Sequence, residues 1–191
     1  MMILTFNPFV ELAPPVADSS LLTFGKKNMN IIQRLLGVKP DPTQDWNLST
    51  ADLPEFNADQ MRFGDITFGD PISKAELFGK PDSVEWLDKD YMKLLYSSRG
   101  FQFDFEGGLL NYIAFHFADR ASLVCCCGSV RHEIGANSNR ESLGAIWGEP
   151  SSIDSDDEEV IMNYEIGSVT MEFELSPDGN RLLRWNVFID K

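Results

Sequence analysis

Apolar and polar residues alternate with a period of two through Phe101-Gln-Phe-Asp-Phe105, Val169-Thr-Met-Glu-Phe173 and Leu183-Arg-Trp-Asn-Val-Phe-Ile189. That period sends successive side chains to opposite faces of a β-strand. A fourth run, Leu109-Leu-Asn-Tyr-Ile-Ala-Phe115, reads as a strand too. Glu106-Gly107-Gly108 and Ser176-Pro177-Asp178-Gly179 supply the turns that join these runs into antiparallel hairpins. Two short helices are expected ahead of the strands. Asp70-Pro71 caps one over residues 73–78, which ends at Gly79. Asn137 or Ser138 caps the other over residues 140–147, which ends at Gly148.

The two halves match. Phe78-Gly79-Lys80-Pro81 precedes Tyr96, the Phe101 strand and the Leu109 strand. Trp147-Gly148-Glu149-Pro150 precedes Tyr164, the Val169 strand and the Leu182 strand. The spacing from Pro to Tyr is 15 residues in one half and 14 in the other, and from Tyr to the last Phe of the next strand it is 9 in both. Leu-Leu-x-aromatic-x-x-Phe recurs intact. An internal duplication reorganises the whole reading of a fold. The expectation is an α+β protein in which two tandem helix-plus-antiparallel-strand repeats, about residues 64–120 and 134–190, form one sheet with helices packed on one face. Ahead of them stand an irregular N-terminal arm (residues 1–28) and a short helix at 29–36. An acidic linker follows and leads into a single domain at 61–191. Met29 reads as a natural start.

Strand alternation separates the faces. In the second repeat Leu183, Trp185, Val187 and Ile189 point to the core, with Leu182, Arg184, Asn186 and Phe188 outward. Repeat equivalence then sends Leu110, Tyr112, Ala114 and His116 inward, and Asn111, Ile113, Phe115 and Phe117 outward. Gln102, Asp104, Thr170, Glu172 and Glu174 join the outer set. Asp104, Phe115, Phe117, Glu172, Arg184 and Phe188 are therefore the candidate partner-binding residues, since aromatics rimmed by charge suit a protein interface. A second reading leaves the aromatics covered by the N-terminal arm, the 29–36 helix or the strand at 123–127.

Helix, Gly-x-Pro, aromatic strand and a second aromatic strand after a Gly turn, repeated in tandem, resemble the β-lactamase-inhibitor-protein-like fold, shared by the small outer-membrane assembly lipoprotein family (SmpA/OmlA). The resemblance covers residues 64–189 and rests on structural positions. It implies a binding or scaffold module without catalytic chemistry. Those relatives are exported, whereas this chain shows neither a signal peptide nor a lipobox, and the inhibitor's disulfides have no equivalents.

Charge narrows the partner. The chain has 191 residues, 30 carboxylates against 16 Lys and Arg, and a net charge of -14. That balance opposes nucleic acid and anionic membrane and favours a basic or otherwise complementary protein. Cys125, Cys126 and Cys127 are adjacent and cannot staple distant segments; free thiols and the absence of an apolar leader point to a cytoplasmic protein. The same cysteines with His116 or His132 carry the alternative function, a thiol-dependent enzyme or a redox or metal sensor. On a strand, however, Cys125 and Cys127 make a poor chelate.

The acidic run from Asp154 to Glu159, with Glu165 at the twelfth position, lacks the glycine a calcium loop requires at the sixth. It reads as a solvated loop. No phosphate-cradling glycine motif occurs, so no cofactor and no metal are expected. The favoured reading is a non-enzymatic interaction module, inhibitor- or immunity-like, binding a protein through its acidic and aromatic sheet face.

Overall fold

A computed structural model describes residues 39–117 and 122–189. The expected N-terminal arm, the helix at 29–36 and the Met29 start lie outside the described residues. The chain from Asp41 onward forms one compact unit.

Thirteen strands are found among the described residues, in two sheets. The smaller sheet uses β1 (Phe56–Asn57), β2 (Arg62–Phe63), β3 (Ile66–Thr67), β8 (Leu123–Cys127) and β9 (Val130–Ile134), in the order β3-β2-β1-β8-β9. The larger uses β4 (Ser83–Trp86), β5 (Tyr91–Tyr96), β6 (Phe101–Glu106), β7 (Leu109–His116), β10 (Ser152–Ser155), β11 (Val160–Ile166), β12 (Val169–Leu175) and β13 (Leu182–Ile189). Its order is β10-β11-β12-β13-β7-β6-β5-β4, and each of these pairings is antiparallel. Among the described residues helix is confined to a 3₁₀ segment (Ile72–Phe78), a single turn (Ser97–Arg99) and α1 (Arg140–Trp147).

The α+β expectation, with helices as the covering layer, is overturned: the protein is mostly β. What covers the centre of the large sheet is the small sheet. Phe56 of β1 lies 4.8 Å from the ring of Trp185 and 5.8 Å from Phe115, and Phe63 of β2 lies 5.0 Å from Phe115. The helices only flank this contact. Phe78 packs on Phe103, and Trp147 on Phe173. The expectation of two tandem helix-plus-strand repeats is not borne out either: the strands at 56–67 and 123–134 belong to neither copy and form the second sheet. Nor is the stretch before residue 61 a solvated linker throughout, since Phe56 is fully buried.

Local chemistry explains the element ends. Gly107 and Gly108 both have positive φ, the requirement of a two-residue hairpin turn, and they join β6 directly to β7. Asn139 caps α1, its side chain accepting from Ser142 N while Ser142 Oγ accepts from Asn139 N. The cap is thus one or two residues later than Asn137 or Ser138. Asp70 does not cap the 3₁₀ segment; its carboxylate accepts from Thr67 N at 2.9 Å and pairs with Lys74 at 3.1 Å.

Two bulges reset the faces. The β6–β7 register shifts between Asp104 and Phe105, and the β12–β13 register between Glu174 and Leu175. Phe105 lies opposite Leu110 while Asp104 lies opposite Tyr112, so Asn111 is the extra residue. Likewise Leu183 is extra, and Leu182 rather than Leu183 is fully buried. The larger correction concerns β7. Ile113 lies opposite Phe103 and Phe115 lies opposite Trp185, so Ile113, Phe115 and Trp185 share one face and Tyr112 lies on the other. Matching the two Leu-Leu runs slips the alignment by one residue, and one residue exchanges the faces of a strand. Ile113, Phe115 and Phe117 are buried in the core; Tyr112, Ala114 and His116 share the outer face with Arg184, Asn186 and Phe188.

Candidate functional site

The outer face of the large sheet is built from alternate residues of its central strands: Tyr91 and Lys93 (β5), Gln102 and Asp104 (β6), Tyr112 and His116 (β7), Arg184, Asn186 and Phe188 (β13), Glu172 and Glu174 (β12). These side chains form a connected hydrogen-bond system. Arg184 Nε–H donates to His116 Nδ1 at 3.4 Å. Arginine can only donate, so Nδ1 accepts and the ring proton sits on Nε2. That proton points to Gln102 Oε1 at 3.4 Å, and Gln102 Nε2 donates to Asp104 Oδ1 at 2.9 Å. The other carboxylate oxygen, Oδ2, accepts from Tyr91 Oη at 2.7 Å and lies 3.5 Å from Lys93 Nζ. Every neighbour donates to Asp104.

A second branch runs through Asn186. Tyr112 Oη donates to Asn186 Oδ1 at 2.7 Å, and Asn186 Nδ2 donates to Glu172 Oε1 and Glu174 Oε1, each at 2.7 Å. Arg184 closes the system with an ion pair to Glu174 at 3.2 Å. Above this layer the Phe188 ring stacks on Tyr112, with centroids 6.1 Å apart.

Burial sets the protonation of the layer. Asp104 and Asn186 are each 2% exposed. Loss of water raises the Asp104 pKa, opposed by the hydrogen bond from Tyr91, the Lys93 charge and Gln102. Burial and then the Arg184 charge lower that of His116, in keeping with a neutral ring. Tyr91 and Tyr112 are both pushed up, first by burial and then by Asp104, so both remain protonated donors. The face offers fixed polar groups and aromatic rings.

Of the candidate residues, Asp104, Glu172, Arg184 and Phe188 are brought together here. Glu172, Arg184 and Phe188 are half-buried and accessible, whereas Asp104 lies under Tyr91 and Lys93 and holds them. Phe115 and Phe117 are 2% and 3% exposed in the core and belong to no surface. They lie under the sheet that contains the 123–127 strand, one of the coverings the sequence allowed. Sequence reasoning placed Tyr112 and His116 inside and did not single out Tyr91 or Lys93. The alternation Tyr91-Met-Lys-Leu carried that last signal, with Met92 and Leu94 buried.

The cysteines stand on the small sheet. Cys125 lies opposite His132, is fully buried, and its thiol is pushed up to about 12, first by burial and then by Cys127 and Cys126. Cys126 Sγ donates to Glu55 Oε2 at 2.9 Å, and Glu55 also pairs with Arg131. His116 is on the other sheet. The acidic run enters β10 and then a turn in which Asp156 Oδ1 accepts from Glu158 N and Glu159 N. Among the described residues no group of three His, Cys, Asp or Glu side chains is placed to hold a metal, and no helix is long and apolar enough to cross a membrane.

No protein-family model matches the chain, and no curated protein does. Among solved structures it is similar to a DUF4309 family protein (YjgB) from Bacillus subtilis, at 12% identity and a TM-score of 0.43, covering 66% of this chain and 80% of that one.

Proposed function

We propose that the chain is a non-enzymatic interaction module that binds a basic protein through the outer face of its eight-stranded sheet. The observation that carries this reading is the hydrogen-bonded layer itself. Asp104, Gln102, Tyr112, Asn186 and Arg184 take their partners from the same face, while the small sheet, α1 and the 3₁₀ segment pack on the other. Such a layer holds Phe188, Glu172 and Arg184 in place before a partner arrives, which lowers the ordering cost of binding. Glu85, Asp104, Glu106, Glu165, Glu172 and Glu174 outnumber Lys93 and Arg184 on this face, so a basic surface is steered to it. The aromatic pair Phe188 and Tyr112 supplies the anchor.

The test is affinity capture from the native host at low and high salt, with the Glu172→Lys/Arg184→Glu double variant beside the wild type and circular dichroism to check its fold. The expected result is one stoichiometric basic partner, weakened by salt and lost in the folded variant. A partner retained equally by the variant, or none at either salt, refutes the proposal.

A further inference from the structure

The face under α1 carries a second feature that the outer layer does not use. A groove of about 860 Å³ runs between α1, the edge strand β10, its neighbour β11 and the turn at residues 177–180. Ile153, Val160 and Met162 lie on the inner side of the β10–β11 hairpin, where Ile153 is opposite Met162; Val160 and Met162 are buried. Ile153 is 39% exposed, although its equivalents deeper in the sheet are covered.

The helix wall is open as well. Gly144, in the middle of α1, and Gly148, at its end, both border the groove, and a Cβ built on either meets nothing within 4 Å. Glycine inside a helix weakens it, and here no internal packing requires it. The helix backbone is left open to close approach from the groove.

One wall of this groove is a sheet edge. Among the described residues β10 pairs with β11 and with no other strand, so its second side presents main-chain donors and acceptors in the pattern that another strand reads. The charge around it is one-sided: Glu141, Glu149, Asp156 and Asp178 line the groove, against Arg140. A second copy of this chain, at net charge -14, would bring like charge to like charge. We propose that β10 is a strand-addition site for an extended segment of alternating basic and apolar residues, which pairs with the edge main chain. On the inner face its apolar side chains sit beside Ile153, and its basic ones, at the alternate positions, point to the other face beside Asp154. The edge lies two strands from β12 and three from β13, which carry Glu172, Arg184 and Phe188.

The test uses the full chain and a fluorescent octapeptide of alternating lysine and valine, with fluorescence anisotropy as the readout. Three comparisons are made: the same peptide N-methylated at its valines, Gly144→Phe, and Glu76→Lys on the exposed side of the 3₁₀ segment. The N-methylated peptide keeps every charge and side chain but loses alternate main-chain donors. Gly144→Phe fills the groove from a position with free space, and its melting temperature confirms the fold. The expected result is salt-sensitive binding that weakens at least tenfold with the methylated peptide and with Gly144→Phe, and less than twofold with Glu76→Lys. Equal binding of both peptides would reduce the effect to bulk charge and overturn the proposal. So would full affinity in Gly144→Phe, no binding at all, or a concentration-dependent dimer in sedimentation that Gly144→Phe abolishes, since the last assigns the edge to a second copy.

Discussion

Phe115 and Phe188 are each the next-to-last residue of strands of similar sequence, yet the structure assigns them opposite roles, and truncating each to alanine measures the difference. Phe115 is 2% exposed and its ring meets Phe56, Phe63 and Trp185 with centroids 5.0 to 5.8 Å away. Removing a buried phenyl group loses its transfer free energy and leaves a cavity that rigid aromatic neighbours fill poorly, so Phe115→Ala should cost about 4 kcal/mol. Phe188 is half-buried and has a single ring neighbour, Tyr112. Its truncation should cost about 1 kcal/mol. Urea titration followed by tryptophan fluorescence reads both, with midpoints compared at equal slope. At about 2–4 °C per kcal/mol for a domain of this size, the melting temperatures should fall by roughly 8–16 °C and 2–4 °C. If Phe188→Ala costs as much as Phe115→Ala, or Phe115→Ala costs under about 1 kcal/mol, the β7 register and the outer face built on it are wrong.

Three further outcomes follow from the same geometry. Gly79 and Gly148 both have positive φ in a region that suits only glycine, but a Cβ on Gly79 would come within 2.5 Å of Ser49 Cβ whereas Gly148 faces open space. Gly79→Ala should therefore cost about 2 kcal/mol more than Gly148→Ala by urea titration, and equal losses would exclude the close approach of the 47–49 loop. Asp104 has a raised pKa in the folded chain, so the fold holds its proton more tightly than the unfolded chain does. Its contribution to stability is complete below the ordinary aspartate value and declines as pH rises through the folded one. The stability difference between wild type and Asp104→Asn should fall as pH is raised from about 4, and a difference that stays flat contradicts the buried carboxylate. Finally, iodoacetamide should leave Cys125 unmodified in the native protein while reaching Cys126 and Cys127, with all three labelled in urea. Fragment-ion mass spectrometry distinguishes the three, and native labelling of Cys125 at the rate of its neighbours would disprove its burial.

The four central strands of the large sheet were legible because each needs only local information. Alternation in Phe101–Glu106 and Val169–Leu175 marks both the strand and its faces, and Gly107-Gly108 marks the turn. Asp104, Glu172, Arg184 and Phe188 could therefore be grouped before any coordinates, through their polar or apolar place in the period. Phe115 and Phe117 were misplaced because the Leu-Leu runs of β7 and β13 look alike while their true registers, set by the bulges at Asp104/Phe105 and Glu174/Leu175, align them one residue apart. A bulge leaves no composition signal of its own. Strands of two residues, such as β1 and β2, are shorter than any window in which a period can be read.

By itself, then, the chain's sequence determined the four central strands of the large sheet, the glycine turns that join them in pairs, and the acidic charge balance, all properties that depend on neighbours in sequence or on composition. Tertiary structure decided what covers the large sheet, which side of β7 is buried, and that Tyr91, Asp104, Gln102, His116, Arg184 and Asn186 join into one layer. Those outcomes depend on pairing register and on contacts such as Phe56 with Trp185, between residues more than a hundred positions apart. A single-residue change of register exchanges every side chain between core and solvent, and only the closed core, where Phe115 and Trp185 must share one side, selects between the two.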